Sequence, residues 1–80
     1  MARIVWDDDN RRHLLLDRAA RWISEADVEQ VLTSAASTRK RSRRGRLQVT
    51  GRTAAGRRLT VIVERPAPGL LRPIMAWETP

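Results

Sequence analysis

The stretch Gly45-Arg-Leu-Gln-Val-Thr-Gly-Arg-Thr-Ala-Ala-Gly-Arg-Arg-Leu-Thr-Val-Ile-Val63 reads as a β-hairpin. Leu47 and Val49 alternate with Arg46, Gln48 and Thr50, the period-two pattern of a half-buried strand. Thr53-Ala54-Ala55-Gly56 is a short connection closed by a residue that tolerates positive φ. Leu59 to Val63 is then almost continuously apolar or β-branched, as in a central strand covered on both faces. Arg46, Arg52, Arg57 and Arg58 line the outside of the hairpin. A rigid sheet presenting guanidinium groups suits phosphate.

Working outward, Arg3 to Trp6 reads as a short first strand. A first helix is expected from about Asp8 to Arg21, with Asp7, Asp8 and Asp9 at its favourable N-terminal end. Leu15, Ala19 and Trp22 form its apolar stripe, widened by Leu14 and Leu16. A second helix starts at Ser24, a good N-cap, with Asp27 at the third position completing a capping box. Ile23 packs on Val28 as a hydrophobic staple, and Val31, Leu32 and Ala35 continue the inward face. The helix fades near Ser34 to Ser37. Arg39-Lys40-Arg41-Ser42-Arg43-Arg44 is an edge strand or a flexible arm whose charges either contact phosphates or simply oppose aggregation. After the hairpin, Arg65-Pro66-Ala67-Pro68-Gly69 is a loop, and Leu70 to Trp77 is the last strand. Pro73 lacks an amide donor, which favours an edge or a bulge there. The order β-α-α-β-β-β-β is an α+β layout with two N-terminal helices laid on one face of a small antiparallel sheet.

Eighty residues make one domain, spanning 1–80, with a thin core. The chain has no cysteine and one histidine, which leaves no disulfide framework, no thiolate zinc site and no His-rich metal site. No apolar run approaches a membrane span and no signal peptide is read, so the expected compartment is the cytoplasm. Residues 1–30 carry five arginines and seven acids, net −2, whereas residues 31–80 carry eleven basic residues and two acids, net +9. That asymmetry points to one positive face and a polyanionic partner.

The opening Ile4-Val5-Trp6-Asp7-Asp8-Asp9-Asn10, the helix Ser24-Glu-Ala-Asp-Val-Glu-Gln-Val-Leu32, the hairpin from Gly51 to Val63 and the closing Arg72-Pro-Ile-Met-Ala-Trp77 follow one another in a revealing order. In order and spacing the chain resembles the BrnT family of bacterial toxins, relatives of the RelE/ParE toxins, from residue 4 to residue 77. The resemblance implies a RelE-like fold and the toxin of a type II toxin-antitoxin system. It further implies a cytoplasmic ribonuclease, an mRNA interferase that inhibits translation, acting on RNA free or on the ribosome. The implied partner is a cognate antitoxin of ribbon-helix-helix type, through which the complex binds operator DNA. No cofactor and no membrane are implied. The chain departs from the family at Arg21-Trp22, where members commonly carry a His-Gly pair, and at Trp77, where many carry arginine. It ends at Glu78-Thr79-Pro80, where many members continue into a basic helical tail.

Metal-independent RNA cleavage needs a base for the 2′-hydroxyl, an acid for the leaving 5′-oxygen and positive charge for the phosphorane. Arg46, Arg52 and Arg72 lie in the family-like segments and are the first candidates for transition-state charge; solubility is their plainer role. His13 is the one residue here of the type whose unperturbed side chain suits proton transfer near neutral pH, although a packing histidine would look the same. Glu64 is a candidate base or orienting group, with an ion pair to Arg46, Arg52 or Arg65 as the simpler role. Arg39, Lys40, Arg41, Arg43, Arg44, Arg57 and Arg58 are candidates for binding RNA. Trp6, Trp22 and Trp77 could stack on bases, but Trp6 and Trp22 read as core contacts. Two other classes stay open. One is a non-catalytic RNA- or DNA-binding module, although no helix-turn-helix or zinc signature is present. The other is an inactive toxin homologue acting only through its protein partner.

Overall fold

The computed structural model describes residues 3–16 and 22–80. Strand β1 (Arg3–Ile4) leads to helix α1 (Asp8–Leu16), helix α2 (Glu25–Thr33) and strands β2 (Thr38–Arg41), β3 (Leu47–Arg52), β4 (Arg58–Glu64) and β5 (Leu70–Glu78). A single turn of 3₁₀ helix at Arg43–Gly45 separates β2 from β3. The five strands form one sheet in the order β1-β5-β4-β3-β2. The chain is therefore α+β in the expected element order. The sheet is mixed rather than antiparallel. β2 to β5 pair antiparallel, but β1 runs parallel to β5, with Arg3 opposite Leu70 and Ile4 opposite Leu71. The reason is topological. β1 and β5 are the two ends of the chain, so no tight hairpin ties their directions together.

The hairpin register is Leu47 opposite Val63 through to Arg52 opposite Arg58. Gly56 takes φ 84 in its turn, as the connection requires. β4 is the central strand, and all five residues from Leu59 to Val63 are buried. Leu59, Val61 and Val63 join Leu14, Ile23, Val28, Val31 and Leu32 in one apolar cluster. Burying each such side chain contributes about 1.5–3 kcal/mol. Thr60 and Ile62 alternate with these residues and lie outside the cluster. The Thr60 hydroxyl shares hydrogen bonds with those of Thr50 on β3 and Thr79 just after β5.

Pro73 sits at a bulge. Val63 pairs with Pro73 but Ile62 pairs with Met75, so Ile74 is the extra residue. The carbonyls of Gly69 and Leu71 both turn toward β1. Pro73, two residues on, directs its missing donor to the same side, beyond the end of β1, so no ladder bond is lost.

The second helix starts as its sequence dictates. The Ser24 side chain accepts from the Asp27 amide at 3.1 Å, and Asp27 accepts from the Ser24 amide at 3.0 Å. Ile23 and Val28 are both buried, as the staple requires. Replacing Ser24 with alanine should destabilise the fold by about 1 kcal/mol, whereas Ser24→Asp should retain most of it. Urea midpoints of the two variants check this; equal losses would rule out capping as the cause. Ala35 lies past the helix end and is exposed, contrary to its expected inward place.

The expected first helix is described only to Leu16; its remainder, including Ala19, and the side chains of Leu15 and Leu16 lie outside the described residues. Trp22 is not the core contact its spacing suggested. It stands 82% exposed with φ 66, in the turn before the Ser24 cap. The helical period that placed it on the Leu15 stripe does not extend into that turn. Trp6 does pack against the core, and its indole donates to Glu29 Oε1 at 2.8 Å. Among the described residues no helix is long and apolar enough to cross a membrane.

Candidate functional site

The junction between β1 and α1 builds one wall of the site. The Asp7 amide donates to Asn10 Oδ1 at 2.8 Å, and the Asn10 amide donates to Asp7 Oδ1 at 2.9 Å. This reciprocal pair caps α1 in the same way as Ser24 and Asp27 cap α2. Asn10 is buried, and its side-chain amide also donates to the Val5 carbonyl. Asp7 is thereby held facing β5.

Arg72 on β5 meets it with a bidentate pair. Its Nε donates to Asp7 Oδ2 at 2.7 Å and its Nη2 to Asp7 Oδ1 at 3.1 Å. Its remaining nitrogen, Nη1, reaches Glu64 Oε2 on β4 at 3.3 Å. Glu64 Oε1 in turn accepts from Arg46 at 3.3 Å. Cross-strand pairing explains this order, because Glu64 lies directly opposite Arg72. The result is an alternating chain Arg46–Glu64–Arg72–Asp7. Of the partners expected for Glu64, Arg46 is present, and the second is Arg72 rather than Arg52 or Arg65.

Above this chain lies a cavity of about 360 Å³ lined by Asp9, Asn10, His13, Arg46, Arg72, Ile74 and Met75. It brings His13 from α1 together with Arg46 and Arg72 from the sheet. Glu64 links the two arginines. Arg52 is elsewhere, at the turn end of β3, where it donates to the Gly56 carbonyl at 3.0 Å. Among the described residues no group of three or more His, Cys, Asp or Glu side chains converges as a metal site.

The hydrogen bonds from Arg72, and then the amide of Asn10, lower the Asp7 pKa from 3.8 to about 2. Arg72 is correspondingly raised, chiefly by its bond to Asp7, and stays protonated. A carboxylate depressed in the folded state adds stability that is present above its unfolded pKa and lost as pH falls toward its folded pKa. The contribution of Asp7 should therefore decline between about pH 4 and pH 2. A carboxyl NMR titration should place Asp7 near 2 in the native protein and return it toward 3.8 in Arg72→Ala. An unmoved titration would mean that Arg72 is not the cause.

The expected RNA-binding residues divide into two groups. Arg41, Arg43, Arg44 and Lys40 are exposed on and after the edge strand β2, and no ion pair engages them among the described residues. Arg39, Arg57 and Arg58 have structural partners. Arg39 donates to the Leu32 carbonyl at the end of α2. Arg57 pairs with Glu78 at 2.9 Å and Asp27 at 3.7 Å, and donates to the Trp22 carbonyl, tying α2 to the end of β5. Arg58 donates to the Pro80 carbonyl. Asp7, Asn10 and Arg65 were not singled out from the sequence as site residues. The spacing Asp7-x-x-Asn10 was the available signal for the first two, since it repeats the capping pattern of the second helix.

No family model, curated protein or solved structure matches the chain.

Proposed function

We propose that the chain is a BrnT-like, RelE/ParE-related toxin of a type II toxin-antitoxin system, acting in the cytoplasm as a metal-independent endoribonuclease. The observation that carries this reading is the gathering of His13, Arg46 and Arg72 around one cavity, with Glu64 between the arginines. In this reading both helices cover one sheet face in the RelE manner, and the messenger lies in the cavity. Arg46 and Arg72 stabilise the phosphorane, because guanidinium stays charged and presents a planar fork of donors. Glu64 and His13 supply the proton-transfer groups. The antitoxin, of ribbon-helix-helix type, covers the basic half of the surface and carries the complex to operator DNA.

A second reading has its own support. Arg46, Glu64, Arg72 and Asp7 form a chain of two positive and two negative groups, which carries no net charge. Such a chain also suits a purely structural role in a non-catalytic nucleic-acid-binding module or an inactive toxin homologue. A cell-free translation assay with intact messenger separates these readings. The toxin reading expects arrested translation with cleaved messenger. Arrest with intact messenger would favour the binding module, and unimpaired translation the inactive homologue.

A further inference from the structure

A second cavity, of about 460 Å³, lies beside the first and shares Arg46 as a wall. Its lining is Arg41, Ser42, Gly45, Arg46, Leu47 and Arg65. Three arginines line it and no carboxylate does, whereas Asp9 lines the first cavity and Asp7 and Glu64 pair with its arginines. The local fold explains the gathering. Arg41 lies opposite Leu47 in the β2–β3 pairing, and the Ser42 amide donates to the Arg46 carbonyl at 2.8 Å. Arg44 at φ 59 and Gly45 at φ 72 reverse the chain tightly enough to bring Arg41 and Arg46 to one hollow. Leu47 pairs with Val63, so Arg65, two residues on, arrives from the opposite side. Arg41 and Arg65 have no ion-pair partner among the described residues.

We infer that this cavity is a phosphate subsite for a single-stranded RNA backbone, holding a phosphodiester next to the one in the His13–Arg72 cavity. The inference rests on the proposed RNA-cleaving function. It adds where the strand runs and what recruits it. The neutral Arg46–Glu64–Arg72–Asp7 chain offers little long-range attraction to a polyanion, while the adjoining cavity offers uncompensated guanidinium charge. Arg46 is common to both cavities, which makes the two binding positions contiguous. No aromatic side chain lines the second cavity, so it has no stacking platform and reads the backbone rather than the base.

The test uses di- and tetranucleotides carrying 2′-O-methyl groups to block cleavage, with binding followed by fluorescence anisotropy at low salt. The native protein should bind the tetranucleotide more tightly than the dinucleotide, with little dependence on base identity. Arg41→Ala/Arg65→Ala should reduce the tetranucleotide-to-dinucleotide affinity ratio roughly tenfold, the effect of losing one charge-assisted phosphate contact. Its log-affinity against log-salt slope should become shallower by about 0.7. Arg3→Ala/Arg12→Ala removes the same formal charge at exposed positions outside both cavities and should leave the ratio near its native value. Equal reductions in both double variants, or no advantage of the tetranucleotide in the native protein, would overturn the subsite. Inorganic tripolyphosphate binding as tightly as the tetranucleotide would assign the cavity to a free polyphosphate and overturn it as well. Messenger cleavage is scored separately. An intact length advantage without cleavage would sink the ribonuclease reading alone, and cleavage with an unchanged ratio in Arg41→Ala/Arg65→Ala would sink the subsite alone.

Discussion

In the proposed ribonuclease, Arg72→Ala is expected to lower messenger cleavage by two to three orders of magnitude, equivalent to about 2–4 kcal/mol of transition-state stabilisation. Three of its guanidinium nitrogens are already directed, two to Asp7 and one to Glu64. The group is thus held between Asp7 and Glu64 before any substrate arrives, which is the condition for electrostatic preorganisation. Arg72→Lys should lose most of the same activity, because an ammonium cannot reproduce the bidentate fork. Arg52→Ala should cost far less. The sequence placed Arg52 beside Arg72 as an equal candidate, but its guanidinium closes the hairpin turn on the Gly56 carbonyl instead of lining the cavity. Growth arrest and messenger cleavage measure the effect, and circular dichroism verifies that each variant folds. Equal small losses at Arg72 and Arg52 would point to a diffuse charge effect and remove the catalytic assignment.

Gly51→Ala is expected to destabilise the domain by about 2–4 kcal/mol, from overpacking together with one broken hydrogen bond. A Cβ at this position would lie 2.0 Å from Ser37 Oγ and 3.0 Å from Ser37 Cβ. Ser37 Oγ donates to the Val31 carbonyl at 2.6 Å, which anchors the segment after α2 to the helix end. Turning the hydroxyl away breaks that anchor and still leaves the serine Cβ too close, so β3 or the loop must move. In a Ser37→Gly background the same substitution should cost much less, because both obstructing atoms are gone. Urea denaturation of the four proteins in this cycle gives the coupling. A cost that is the same in both backgrounds would locate the strain elsewhere.

The elements were legible because their signals are local. The alternation through Leu47 and Val49, the β-branched run to Val63 and the Ser24–Asp27 cap each lie within a few residues, and each survives in the fold. Pro73 marked the bulge for the same reason, since a missing amide limits the strand wherever it is placed. Trp22 misled because a helical period was carried past the point where the chain turns. The mixed sheet could not be read, because strand direction at the edge depends on which ends meet rather than on any strand's own pattern.

The candidate site divides along the same line. Composition and charge alone determined that the basic residues concentrate after residue 30, and that any chemistry here works without cysteine and with one histidine. Which arginines act together was decided only in three dimensions. Asp7 and Arg72 are 65 positions apart and meet because β1 pairs with the start of β5. Arg46 and Arg72 share Glu64 because β4 lies between their strands. Arg57, as exposed by sequence pattern as Arg46, is instead committed to Asp27 and Glu78. A guanidinium looks the same at every position of a sequence; its role follows from the carboxylate it faces, and register, twist and chain reversal choose that carboxylate.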